Sequence, residues 1–589
     1  MLAIGALATA LVVLALAVRL GGAFGAAATP GLSQAGALTK VGLAVAKLGM
    51  NVASVLTVGW LLAAAVLVPE RSGTTRRCLL AASRSAMAWA LCGLALVAFT
   101  VSDLFGVPAT GITGNMLRTF LIELPQGRAL LLVIAAAVAL SFAARLSGAE
   151  GAAGYLLIGA LAGLMPPLFT GHAASAAHHA LAVHSLAAHV AGVSLWIGGL
   201  VALVTVAPDV RDRLPETVRR YSGLALVSFA VVGVSGAVNA WVRLGGVHLG
   251  SRYGMLVVAK AAALLVLGAM GWWHRRATIP ALSSGAGARG FVRLGAAEIL
   301  VMAAAMALAT GLSRTPPPEV SPGTLDPVAL RLGFPLPGPA GPGPYLLNWW
   351  IDPLFLVLVT AGAVLYGAAV FRVRRDGWPL HRTLAWTAGL AVVLLATCGG
   401  VARYSMVLFS AHAVQHVMVG LAAPLLLVHG APLTLARKAL PSARTLDAVA
   451  GSRGARAAAH PVVASALLVV SLYGWYASPL FASSLANHAL HSVAMAGFLA
   501  IGLAFFAGTA GPRALLAAVP LHALAGIALA RPGTVFAGGW YGTLGRTWGA
   551  PPLDDQRLGA AVLAAAAVTA TGAALVPRLL AAVRSGRQH

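Results

Sequence analysis

Residues 409–434 read FSAHAVQHVMVGLAAPLLLVHGAPLT. The stretch is apolar almost throughout, yet His412 and His416 stand four positions apart, so a helix carries both imidazoles on one face. Ionisable side chains are costly in hydrocarbon and mark functional sites where they occur there. Reading this stretch as a membrane helix with a ligand-bearing face sets the fold class and the candidate chemistry together.

The same apolar character runs through the whole chain. Of 589 residues, 59% are hydrophobic and 9% charged, against about 25% charged in an ordinary soluble chain. Mean hydropathy is +0.88. Apolar runs long enough to cross a bilayer recur about sixteen times, among them stretches near 152–170, 460–478, 513–529 and 557–582. The expected fold is an all-α polytopic membrane protein with about 16 transmembrane helices in two bundles, about nine and then seven. The first stretch, 2–20, reads as a retained helix rather than a leader. Met1 to Leu14 holds no basic residue, and Arg19 follows the apolar run instead of preceding it.

A formal charge of +25 could suggest nucleic acid, but its placement excludes that class. Alternate loops collect most of the 40 lysines and arginines: Arg71, Arg76 and Arg77; Arg211 and Arg213; Arg275 and Arg276; Arg372, Arg374 and Arg375; Arg437 and Lys438. By the positive-inside rule these loops are cytoplasmic, and both termini fall on the same side. The expected location is a bacterial-type plasma (inner) membrane. Cys78, Cys92 and Cys398 have no paired spacing, so neither a disulfide framework nor a thiolate metal site is expected.

One segment interrupts the helical rhythm. TPPPEVSPGTLDPVALRLGFPLPGPAGPGP, from Thr315 to Pro344, contains ten prolines and cannot form a spanning helix. It divides the chain into membrane domains at 1–314 and 347–589, joined by an external linker at 315–346.

The sixteen histidines are sorted by this topology. His274, His381, His429, His460 and His589 fall on the cytoplasmic side, and the others fall outside or in the outer half of a span. In the first half, His172, His184 and His189 lie at an external turn and along the span that follows. In the second half, NHALHSVAM supplies His488, His491 and Met495, with His491 and Met495 again one turn apart. If that helix faces His412 and His416, three imidazoles and a thioether gather. Such donors, without thiolate or clustered carboxylate, suit copper, and the thioether favours Cu(I). Two histidines on facing helices can also ligate a b-type haem, the main alternative, although Met495 and the loop histidines favour copper. A cofactor-free channel or exporter lined by Lys47, Lys260 and Glu298 is a third reading. No nucleophile–base pair or phosphate loop is present, so an enzyme is not expected.

Two resemblances join these pieces. Residues 150–318 resemble the copper resistance protein D (CopD) family through TGHA at His172, HVAGVSLWIGGL at His189, SGAVNAWVRL, RYGMLVVAK and RLGAAEILV. Residues 347–589 resemble the CtaG family of cytochrome c oxidase assembly proteins. That likeness rests on WWIDPLFLVLVTAGAVLYGAAVFR, the two-histidine stretch quoted first, HSVAMAGFLAIGLAFF and DDQRLGAAV. The chain departs from that family pattern at Met495, where a second histidine is usual, and at Gly497. The resemblances imply copper transport or acquisition coupled to copper delivery for cytochrome c oxidase assembly. They imply His172, His184, His189, His412, His416, His488, His491 and Met495 as metal ligands, with an oxidase subunit or a copper chaperone as partner.

Overall fold

The computed structural model is all-helical, and among the described residues it has no strand. It describes the chain except residues 1, 23–35, 69–72, 148–151, 171–178, 245–247, 284–286, 319–325, 441–446, 448–450, 509–522, 525, 532, 567–568 and 570–589. Among the described residues, twelve helices are long and apolar enough to cross a membrane, or thirteen when one bent pair counts as a span. Helices satisfy every backbone polar group internally, which hydrocarbon requires. This is a multi-pass membrane protein.

The count differs from sixteen for identifiable reasons. Near 152–170 the helix Ala152–Gly163 gives way to a tight turn at Pro166–Phe169, because adjacent prolines cannot extend a helix. Near 460–478 the helix Pro461–Tyr476 stops, and Pro479–Ala486 continues at 71° to it. The stretches near 513–529 and 557–582 lie largely outside the described residues. In the proline-rich segment, Pro327–Leu332 and Pro342–Leu347 form single short helices with proline in the first turn, far too short to span.

The chain forms two compact units. The first comprises Met1–Ala176 and Ser185–Pro322. There Ala37–Leu62 packs along Gly73–Phe105, which packs along Pro125–Leu146, and Leu2–Leu20 pairs with Ala288–Leu312. Trp89, Phe120, Leu203 and Met302 anchor its core. Gly59 and Gly198 put two backbones in touch: a Cβ on Gly198 would overlap the Val55 carbonyl. The WIGG sequence at Trp196–Gly199 is therefore a helix-crossing device.

The second unit comprises Ala177–His184 and Gly323–His589. Leu380–Cys398 packs on Ala423–His429, and His488–Gly508 packs on both Pro461–Tyr476 and Ala423–His429. The span beginning at Phe409 is not uniform, since a wider π turn at Met418–Ala422 begins two residues after His416. Such turns often sit at functional sites. Gly502 meets the Gly420 carbonyl so closely that no Cβ fits.

Candidate metal centre

In the second unit the helix Phe409–Val417 presents the two histidines, and its start is fixed from far along the sequence. Asp555 accepts hydrogen bonds from Phe409 N at 2.7 Å and Ser410 N at 3.4 Å, and from the Ser410 hydroxyl. A carboxylate there satisfies otherwise orphaned N–H groups and complements the helix dipole. Gln556 accepts from Phe536 N at 2.7 Å, so the DDQ motif anchors the surrounding backbone.

His412 is fully buried, and His416, His491 and Met495 are nearly so. His412 Nδ1 lies 2.8 Å from the Tyr476 hydroxyl, while its Nε2 has no hydrogen-bond partner among the described residues. For Nε2 to act as a ligand, Nδ1–H donates to the tyrosine oxygen, the outer-shell contact that orients metal-binding imidazoles. His416 stacks on Phe498 with ring centroids 4.0 Å apart.

His491 is more sharply defined. Gln415 donates its side-chain N–H to the Ala396 carbonyl at 2.8 Å, which turns its oxygen toward His491 Nε2, 3.1 Å away. That oxygen only accepts, so Nε2 carries the proton and Nδ1 keeps a lone pair. Nδ1 is buried and has no hydrogen-bond partner among the described residues. The rings of His412 and His491 are 5.3 Å apart, edge to face. A cavity of about 10 Å³, one water-sized sphere, opens between Trp350, Asp352, Gln415, His488, His491 and Met495. Met495 thus shares a cavity with His488 and His491, and His412 and His416 do not line it.

His184 and His488 fall in another cluster of the same unit. His488 Nε2 lies 3.2 Å from Asp352 Oδ2 and His184 Nδ1 lies 3.6 Å from Asp352 Oδ1. Among the described residues this is the group of three His, Cys, Asp or Glu side chains whose ligand atoms all fall within 4.8 Å of one another. His412, His416 and His491 share a compartment without converging that tightly. Asp352 also caps the helix Pro353–Arg372 through Leu354 N at 2.9 Å and accepts from the Ser492 hydroxyl at 2.7 Å. Burial pushes its carboxyl up. The His488 hydrogen bond, the charges of His184 and His488 and the Ser492 hydroxyl outweigh that and hold it well below the usual carboxylate range.

His189 belongs to the first unit and has different company. Its Nδ1 is 3.1 Å from Ser235 Oγ and its Nε2 is 3.2 Å from Lys260 Nζ. The Ser235 hydroxyl donates to Val231 O, so His189 Nδ1–H donates to Ser235 and Nε2 accepts from the lysine. Asn239 extends the network by donating to Ser185 Oγ at 2.9 Å and to Ser235 O at 3.0 Å. Glu298 lies 3.6 Å from His274 within the same unit. His172 lies outside the described residues. Sequence reasoning missed Asp352, Gln415 and Tyr476. The acidic residue before the proline of WWIDPLF and the glutamine inside HAVQH were the available signals.

Comparison with known proteins bears on both units. The profile of the family described as Cytochrome c oxidase caa3 assembly factor (Caa3_CtaG) matches residues 364–585, and that of Copper resistance protein D matches residues 215–312. An uncharacterized protein of Mycobacterium tuberculosis is 31% identical over 255 residues, covering 39% of this chain and 39% of the relative. A Mycobacterium leprae protein matches to the same extent. The chain therefore spans about two fifths of the length of these curated relatives. The copper transport protein CutJ of Bacillus subtilis is 32% identical over 118 residues, covering 18% of this chain and 22% of CutJ. No solved structure matches.

Proposed function

We propose that this chain, which carries a Copper resistance protein D segment and a Caa3_CtaG segment in tandem, moves copper and supplies it during assembly of cytochrome c oxidase. The observation that carries this reading is the pair of buried imidazole nitrogens without hydrogen-bond partners, His412 Nε2 and His491 Nδ1, on rings 5.3 Å apart. An unpaired buried polar atom costs about 1–3 kcal/mol, a cost that binding a metal removes. Copper is the cargo. His412, His416 and His491 supply imidazole, and Met495 supplies a soft thioether beside His491. Cu(I) is satisfied by two or three such donors, and an uncharged site suits a monovalent ion. The tautomer set by Gln415 leaves His491 ready to bind without losing a proton.

The dimensions favour copper over haem. Rings 5.3 Å apart leave no room for a macrocycle between them, and the adjoining cavity of about 10 Å³ fits a single atom. No catalytic step is assigned to the chain. The histidine-bearing ends of these helices face away from the cytoplasm in this reading, and the partner is an oxidase subunit or a soluble copper carrier.

Metal content and an absorption spectrum of the purified full-length protein test the first point. Bound copper with no Soret band is expected; a Soret band without copper would overturn it. Topology is tested by single cysteines at two exposed positions, Ser483 and Asp376. An impermeant thiol reagent should label Ser483→Cys in intact cells and leave Asp376→Cys unlabelled. The reverse pattern would invert the orientation.

A further inference from the structure

The cluster of His184, Asp352 and His488 differs in chemistry from the histidine and methionine compartment. Its donors are two imidazoles and one carboxylate, all at most about a tenth exposed at the side chain. Around a metal ion with bonds of about 2.0–2.2 Å, neighbouring donor atoms stand roughly 3–3.5 Å apart. The two measured separations to the carboxylate, 3.2 and 3.6 Å, already approach that spacing. The rings of His184 and His488 stand 5.5 Å apart, edge to face, and the indole of Trp350 closes over His488 with centroids 4.6 Å apart. His488 Nδ1 is buried without a hydrogen-bond partner among the described residues.

The carboxylate is held in place from two sides. Its Oδ1 caps Leu354 and Phe355 at 2.9 and 3.3 Å, and its Oδ2 accepts from Ser492 at 2.7 Å. A helix cap alone requires no imidazole, and two buried imidazoles on one carboxylate exceed what capping explains.

We propose that His184, Asp352 and His488 form a second metal site that takes a divalent ion, with Cu(II) preferred, adjoining the imidazole and thioether compartment through the small cavity that Asp352 and His488 share with His491 and Met495. The carboxylate is a hard, charged donor that favours a divalent ion over Cu(I), and among divalent first-row metals copper binds nitrogen and oxygen donors most tightly. Three protein ligands leave a coordination position open, the arrangement of sites that exchange what they hold. The choice of copper rests on the function proposed above, whereas the geometry of the triad does not.

The test is titration of purified full-length protein with Cu(II), followed by electron paramagnetic resonance, for wild type, Asp352→Asn, His184→Gln and the double variant His412→Ala/His416→Ala. Asp352→Asn keeps an oxygen that can cap the helix. Wild type should bind one Cu(II) with nitrogen hyperfine structure. Asp352→Asn and His184→Gln should each weaken Cu(II) binding at least tenfold and leave Cu(I) affinity, measured by chelator competition, within threefold. Wild-type Cu(II) affinity in both variants would overturn the proposal, as would equal loss of Cu(I) and Cu(II). Tighter binding of Zn(II) than of Cu(II) would overturn the metal preference. Loss of Cu(II) binding only in His412→Ala/His416→Ala would place the ion elsewhere and also overturn the proposal. If Cu(I) affinity is unchanged in that double variant while the triad behaves as expected, the histidine compartment reading fails and this site stands.

Discussion

His189 and His491 are both buried imidazoles on apolar helices, and the sequence presents them alike. Their surroundings differ. His189 donates to Ser235 and accepts from Lys260, so both nitrogens are satisfied by the first unit's own side chains. His491 donates to Gln415 and keeps an unpartnered nitrogen. Burial therefore does not tell two such histidines apart; the account of what each nitrogen meets does. In the first unit a metal ion would have to displace a lysine, while in the second it would fill a gap.

The largest effect should come from removing the ring pair of the second unit. His412→Ala/His416→Ala should lower Cu(I) affinity about a hundredfold or more, since loss of even an outer contact typically costs 10–100-fold. Competition with a Cu(I) chelator measures it, and unchanged affinity would erase the contrast between the units. Gln415→Leu probes orientation instead of ligation. It frees the His491 ring from its fixed tautomer, and roughly tenfold weaker Cu(I) binding is expected by the same assay.

Met495→Leu keeps the volume, so packing should change by less than about 1.5 kcal/mol. A few-fold loss of Cu(I) affinity would then belong to the sulfur, and Met495→His should restore binding. Equal affinity in all three proteins would reduce Met495 to a core residue. The smallest effect on copper is expected for His189→Ala. Copper stoichiometry and affinity should not change, although the protein should melt lower, because Lys260 loses a buried partner worth about 1–3 kcal/mol. Loss of one bound copper would give the first unit a ligand of its own and break the comparison.

Much of this was legible in the sequence. Long apolar runs gave the spanning helices, and the i, i+4 histidines gave a common face. What was not legible depends on long-range pairing. Asp352 precedes a proline and reads as an ordinary helix cap, and its partners His184 and His488 lie far from it in sequence. Gln415 is unremarkable until Ala396 takes its amide and fixes which end faces His491. Tyr476 sits where a helix breaks, and the 71° turn after it is set by packing and by Pro479. The resemblance of 347–589 to a family pattern pointed to the two histidine-bearing stretches, yet it carried no information on which nitrogen each ring would leave open.

The crossing of Gly420 and Gly502 bears on how the compartment behaves in bilayers of different thickness. His416 lies one turn before Gly420, and Phe498, on which it stacks, lies one turn before Gly502. Hydrophobic mismatch is relieved mainly by tilting helices and by adjustments at their ends. Two helices in backbone contact at one point can change their tilt while the separation at that point stays the same. Side chains one turn from such a contact move least of all. The ring stack of His416 on Phe498 is thus seated where a thin or thick membrane disturbs it little, and the lipid adapts at the helix ends instead.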